Sequence, residues 1–121
     1  MIKTKCLWDK PEPSDGFRIL VTRFWPRGKK KEFVDYWDPN LGPSKELLLS
    51  YKNGKVTWNN YEKIYRKERE SAWGQKAIEG LKEIHGKKKN ITLLCYEKDN
   101  DPKCHRYILK EIVNKSKHEI G

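Results

Sequence analysis

Ile91 to Val113, ITLLCYEKDNDPKCHRYILKEIV, places a strand, a loop and a helix in one continuous stretch. The run Ile91, Leu93, Leu94, Cys95 is short, partly β-branched and bounded by polar residues, which predicts a buried strand. A helix start follows. Asp101 has the side chain to accept from free first-turn amides, and Pro102 loses nothing at the first helical position. Cys104, Ile108 and Ile112 then recur every four residues. This spacing puts Cys104, His105 and Arg106 in the first turns, where exposed N–H groups and the helix dipole favour a thiolate or a bound anion.

Upstream, Ile2 to Leu7 reads as another strand, with Ile2, Thr4 and Cys6 on one face. Pro11, Pro13 and Ser14-Asp15-Gly16 make the next segment a rigid loop. It is too short for a crossover helix, so the first strand is expected either antiparallel to the second or not beside it. Phe17 to Trp25 is the second strand, whose Ile19-Leu20-Val21 run suits a sheet covered on both faces. Pro26 ends it and Gly28 permits a turn. Arg23 and Arg27 thereby flank a strand's carboxyl end, the side of an open α/β sheet on which ligands bind.

The middle of the chain reads as helical. Ser44 is the expected cap of a short helix carrying Leu47, Leu48 and Tyr51. Thr57 to Glu70 carries Trp58, Tyr61, Ile64 and Tyr65 on one stripe, read as core rather than as a base-stacking surface. Gly74 is the expected divider from a further helix with Ala77, Ile78, Leu81 and Ile84, ending at His85-Gly86. Helices on both sides of the Ile91 strand imply a crossover unit. The expected fold is α/β, a small, mostly parallel central sheet with helices packed on it, in one domain over residues 1–121.

Composition restricts the function classes. Twenty-seven Lys and Arg against 17 Asp and Glu give a net charge of +10, a field that attracts anionic small molecules and nucleic acid alike. Mean hydropathy is low at −1.00, but five Trp, six Tyr and three Phe argue for a packed core rather than disorder. Three cysteines without zinc-ribbon spacing indicate neither a disulfide framework nor a structural zinc site, and fit a reducing cytoplasm. No signal-type apolar segment follows Met1, and no run is long enough for a membrane span, so a cytoplasmic protein with no membrane partner is expected. Oligomeric state is not legible.

The block Ser14-Asp15-Gly16-Phe17-Arg18-Ile19-Leu20-Val21-Thr22-Arg23-Phe24-Trp25-Pro26-Arg27-Gly28 resembles the signature of the YeaO-like proteins, a bacterial and archaeal domain of unknown function. Trp37 with Leu41-Gly42-Pro43-Ser44 and Leu47 is similar to that family's central segment, and Tyr61 with Tyr65-Arg66 to its helix. Leu93-Leu94-Cys95 followed by Cys104-His105-Arg106 is similar to its carboxyl-terminal motif, in a cysteine-containing branch. Thr22 stands where many members carry an acid. The resemblance implies a fold and a set of motif residues, and no reaction.

Among the motif residues, Cys104 is the candidate nucleophile and His105 its proton partner, both assigned as catalytic. Arg23, Arg27 and Arg106 are the candidate ligand-binding residues for a phosphorylated or otherwise anionic ligand. The bland alternatives are a packed Cys104, a hydrogen-bonded His105 and an Arg23 engaged within the fold. A phosphatase-type loop is disfavoured, because the first arginine after Cys95 is Arg106. A redox pair would need Cys95 to meet Cys104, and a metal site would need both to meet His105. No metal ligand set is assigned from sequence, and the cofactor is unknown. The competing function class is a nucleic-acid-binding module using the lysines at 29–31 and 87–89.

Overall fold

The computed structural model describes residues 1–96 and 103–120, the last five as helix backbone only. Four strands, β1 (Ile2–Cys6), β2 (Phe17–Leu20), β3 (Tyr36–Trp37) and β4 (Ile91–Cys95), form one sheet in the order β1-β4-β2-β3. Every pairing is parallel, with Cys6 opposite Cys95 and Leu20 opposite Leu94. The first two strands are therefore not neighbours; β4 inserts between them. Among the described residues, four α-helices complete the fold: α1 (Lys45–Lys52), α2 (Trp58–Glu70), α3 (Ala72–Lys88) and α4 (His105–Ile120).

Strand pleat separates two cores. Ile19, Val21, Ile91, Leu93 and Cys95 join one cluster with Leu47 of α1, Tyr61 and Tyr65 of α2, Leu81 of α3 and Ile108 of α4. The intervening residues Leu20 and Leu94 join Leu7 in a second cluster, covered by Trp25, Phe33, Val34 and Trp37 instead of by a helix. Alternate strand residues point to opposite faces, so both faces of β2 and β4 are buried against different material.

Several boundaries differ from expectation for local reasons. The second strand ends at Leu20 rather than Trp25. Val21 still donates to Leu94 O, but Trp37 Nε1 then takes the Thr22 carbonyl and Thr22 Oγ1 turns back to Phe24 O. Ser71, not Gly74, divides α2 from α3: its backbone is extended, its amide bonds Glu68 O, and its Oγ accepts from Gly74 N. Gly74 lies inside α3 and enables the junction, since a Cβ there would sit 2.1 Å from Glu68 O. Helix α3 continues past His85-Gly86 to Lys88, where Lys89 takes φ 63° and closes it. The Ser44 cap is as expected, accepting from Leu47 N, and Thr57, expected as the first residue of its helix, stands just before α2 and caps it by accepting from Asn60 N. Helix α4 begins at His105, so Cys104 stands immediately before it, while the expected cap Asp101 and Pro102 lie outside the described residues.

Candidate functional site

From the carboxyl end of β2 the chain moves toward β3, whereas from that of β4 it reaches α4, which packs back on β1. The two exits diverge and leave a crevice at the strand ends, where ligands bind in open parallel sheets. A cavity of about 210 Å³ lies there, lined by Thr22, Arg23 and Phe24 after β2, Tyr96 after β4, and Lys103, Cys104 and His105 at the start of α4. Pro43, Leu48, Tyr51, Lys52, Trp58 and Tyr61 close its helical side. The tryptophan-rich strand end and the cysteine-histidine motif therefore share one pocket.

His105 is held from several directions. Its Nε2 lies 2.6 Å from the Val21 carbonyl, which can only accept, so Nε2 carries the proton and donates. In the neutral ring Nδ1 is then the lone-pair nitrogen. The ring stands 5.4 Å from that of Tyr65, itself fixed by a 2.6 Å bond from its hydroxyl to Leu41 O. Burial raises the Tyr65 phenol far above its ordinary range, against the opposing pull of Arg69, and keeps it a neutral donor.

Around this imidazole the two motif cysteines meet. Cys95 Sγ is 3.9 Å from each ring nitrogen, and the Cys95, Cys104 and His105 ligand atoms all lie within 4.8 Å of one another. All three residues are buried. The pleat explains Cys95: it follows Ile91 and Leu93 onto the helical face, directly beneath the start of α4.

The arginines separate. Arg23 lines the cavity, held by Nε to Pro43 O at 2.8 Å and by one terminal nitrogen to Asn40 Oδ1 at 3.1 Å. Among the described residues its other terminal nitrogen has no protein partner. Burial and the neighbouring Arg69 both lower its pKa, and the two guanidiniums lie 5.4 and 5.0 Å from the Trp73 ring. Gly42 allows this placement, because a Cβ there would stand 2.6 Å from Arg23 N. Arg106 is fully buried and donates to Lys5 O and Tyr107 Oη, each at 3.0 Å, tying α4 to β1. Burial opposes its charge, but the Tyr107 bond and the fields of Cys104, Tyr107 and Cys95 outweigh this and raise its pKa. Arg27 is exposed on the turn at 26–29. Neither Arg106 nor Arg27 lines the cavity.

Three cations, Arg23, Lys52 and Lys103, face this space, with no carboxylate among its described lining residues. Sequence reasoning singled out neither Lys52 nor the Val21 carbonyl. A backbone acceptor leaves no sequence signal, and Lys52 is one lysine among many. Tyr61, expected as core, is indeed buried and also forms part of the cavity wall.

A family model described as "Active DUF488-N3 subclade" matches residues 2–117. The uncharacterised protein YeaO of Escherichia coli K12 is 34% identical over 112 residues, covering 91% of this chain and 94% of that protein. The uncharacterised protein Rv3073c of Mycobacterium tuberculosis H37Rv is 30% identical over 69 residues, 55% of this chain and 58% of that one. No solved structure matches.

Proposed function

Because this chain belongs to the active DUF488-N3 subclade, we propose that its carboxyl-edge cavity binds a small anionic ligand, a phosphorylated one in the first instance, and acts on it through Cys104. The observation that carries the reading is the lining itself: three cations and a Cys104-His105 pair around one space, with no carboxylate among the described lining residues. A cation-lined pocket with low-dielectric walls concentrates anions and strengthens each charged hydrogen bond within it.

Arg23 and Lys103 hold the negative charge, Arg23 from a position fixed by Pro43 and Asn40. His105, whose Nε2–H is tied to Val21 O, offers Nδ1 as proton acceptor for the Cys104 thiol. The resulting thiolate attacks the electrophilic atom of the bound anion. A sulfur bond forms while the leaving group departs with its bonding electrons and takes up a proton, and water then releases the product from Cys104. Arg106, behind the pocket, adds positive potential without touching the ligand. Arg27 has no role in this arrangement.

Among the described residues, no helix is long and apolar enough to cross a membrane. The basic segments are partly engaged within the fold: Lys29 Nζ lies over the Trp8 and Phe33 rings, and Lys88 Nζ over Phe17.

Calorimetric titration of chelator-treated protein with inorganic phosphate and with a simple phosphomonoester tests the proposal. One site per chain is expected, weakened about tenfold or more in Arg23→Gln, as loss of a charge-assisted hydrogen bond requires. Equal binding by wild type and Arg23→Gln, or none by either, removes the reading.

A further inference from the structure

The convergence of Cys95, Cys104 and His105 carries a second consequence, independent of any anion. We propose that these three side chains form a binding site for a thiophilic divalent cation of the zinc type, and that the bound ion caps Cys104. The site stands on ligand geometry alone; its role as a cap rests on the nucleophile reading above.

Ligand type comes first. Two sulfurs and one imidazole nitrogen select zinc-like ions over magnesium or calcium, which prefer oxygen. Spacing agrees. Tetrahedral zinc with its usual bond lengths holds neighbouring sulfur and nitrogen ligands roughly 3.5–3.8 Å apart. Here the ligand atoms lie within 4.8 Å of one another, and Cys95 Sγ is already 3.9 Å from the imidazole nitrogens. Cys95 Sγ stands equally far from both ring nitrogens, so a turn of the Cys95 side chain or of the imidazole toward the Nδ1 side completes the set.

The surroundings provide what such a site requires. Metal-bound histidines almost always donate their second ring N–H to a carbonyl or carboxylate, which fixes the tautomer. His105 Nε2 makes that bond to Val21 O at 2.6 Å, directing Nδ1 to the metal role. The ligands come from the end of β4, the residue just before α4 and the first residue of that helix, all well buried. Three protein ligands leave a fourth position. Since Cys104 and His105 form part of the cavity wall, water or a small anion reaches that position from the cavity. Two thiolates neutralise the charge of the ion, so the loaded site adds no net charge to the core.

Capping follows from chemistry. A thiolate bound to zinc has its lone pair engaged, so the metal-loaded form reacts slowly with electrophiles and the metal-free form reacts freely. Zinc availability thereby sets the fraction of active thiol, and no redox change is involved.

The test uses the full chain, stripped with chelator and titrated with Zn(II) and, separately, Co(II). Expected are one ion per chain, thiolate-to-cobalt charge-transfer absorption, and slowing of Cys104 alkylation by about tenfold or more when zinc is added. Cys95→Ser should weaken zinc binding by about a hundredfold or more, beyond the effect of losing an outer-shell partner. Cys6→Ser, which alters a buried cysteine outside the set, should bind as wild type does. Circular dichroism and thermal melts of the metal-free variants identify a folding defect; should Cys95→Ser fail to fold, Cys104→Ala takes its place with the same expectation. No stoichiometric binding, or binding unaffected by loss of either motif cysteine, overturns the site. Alkylation unchanged by a bound ion overturns the cap. Phosphate binding by the metal-free protein is measured separately, so failure of the metal site and failure of the anion reading give different results.

Discussion

The two faces of the sheet treat charge in opposite ways. Away from the helices, Asp15 is 4% exposed and receives Arg18 Nη1, Lys5 Nζ at 3.1 Å and the Glu12 amide at 3.1 Å. Arg18 also donates through Nε to Phe33 O at 2.9 Å. Burial would raise the Asp15 pKa, but those donors more than offset it and hold the carboxyl below its usual range. On the helical face at the carboxyl end, Arg23, Lys52 and Lys103 surround thiol and imidazole with no acid among the described lining residues. A matched cluster fixes a strand to a loop, whereas cations lining a cavity draw anions toward it.

The contrast predicts a division of effects. Asp15→Asn leaves the Arg18 and Lys5 charges short of a counter-charge, and should destabilise the protein by about 3–5 kcal/mol. Urea unfolding should show a lower midpoint at unchanged slope. Zinc and phosphate binding by the folded fraction should remain as in wild type, and a loss of both would show that the two faces are coupled. Gly42→Ala forces a Cβ against Arg23 N and should cost about 1–3 kcal/mol. Unlike Asp15→Asn, it should also weaken phosphate binding, by displacing Arg23.

The pH profile sharpens the comparison. Because the Asp15 pKa is depressed on folding, its contribution is fully present above the ordinary carboxyl value of about 4 and is lost as pH falls through the depressed value. Lys5, whose pKa is raised by Asp15 and Glu12 despite burial, contributes below its ordinary value and loses that contribution as pH rises through the raised one. Wild-type stability should therefore fall on acidification below about pH 4, with a shallower fall in Asp15→Asn. Equal acid slopes would exclude this cluster as the cause. The smallest effect is expected at the exposed Lys30: Lys30→Gln should change stability by less than about 0.5 kcal/mol and leave phosphate affinity unchanged. A marked loss of phosphate binding there would favour the basic surface over the pocket.

Much of this was legible in the chain. Hydrophobic runs give β1, β2 and β4, and Ser44 and Thr57 mark helix starts with hydroxyls that do cap them. The α/β layering follows from helices on either side of Ile91–Cys95. The Ser71 junction was hidden because Gly74 is the stronger helix breaker by type, yet its lack of a Cβ serves packing at the junction instead. At the site, Arg23, Cys104 and His105 were identifiable as motif residues, but three facts depend on tertiary placement. Arg106 turns inward to Lys5 O, Arg27 stays on an exposed turn, and Cys95 comes within reach of Cys104 and His105 only because β4 enters the middle of the sheet. Strand order depends on long-range pairing, which local sequence patterns do not specify.

The central claim is that one pocket unites Arg23 with Cys104. Iodoacetamide labelling of metal-free protein, resolved by peptide mass for Cys6, Cys95 and Cys104, tests it directly. The account predicts that Cys104 labels faster than Cys6, that saturating phosphate slows Cys104 alone, and that Arg23→Gln abolishes this protection. Phosphate-insensitive labelling of Cys104, at a rate equal to that of Cys6, would contradict it.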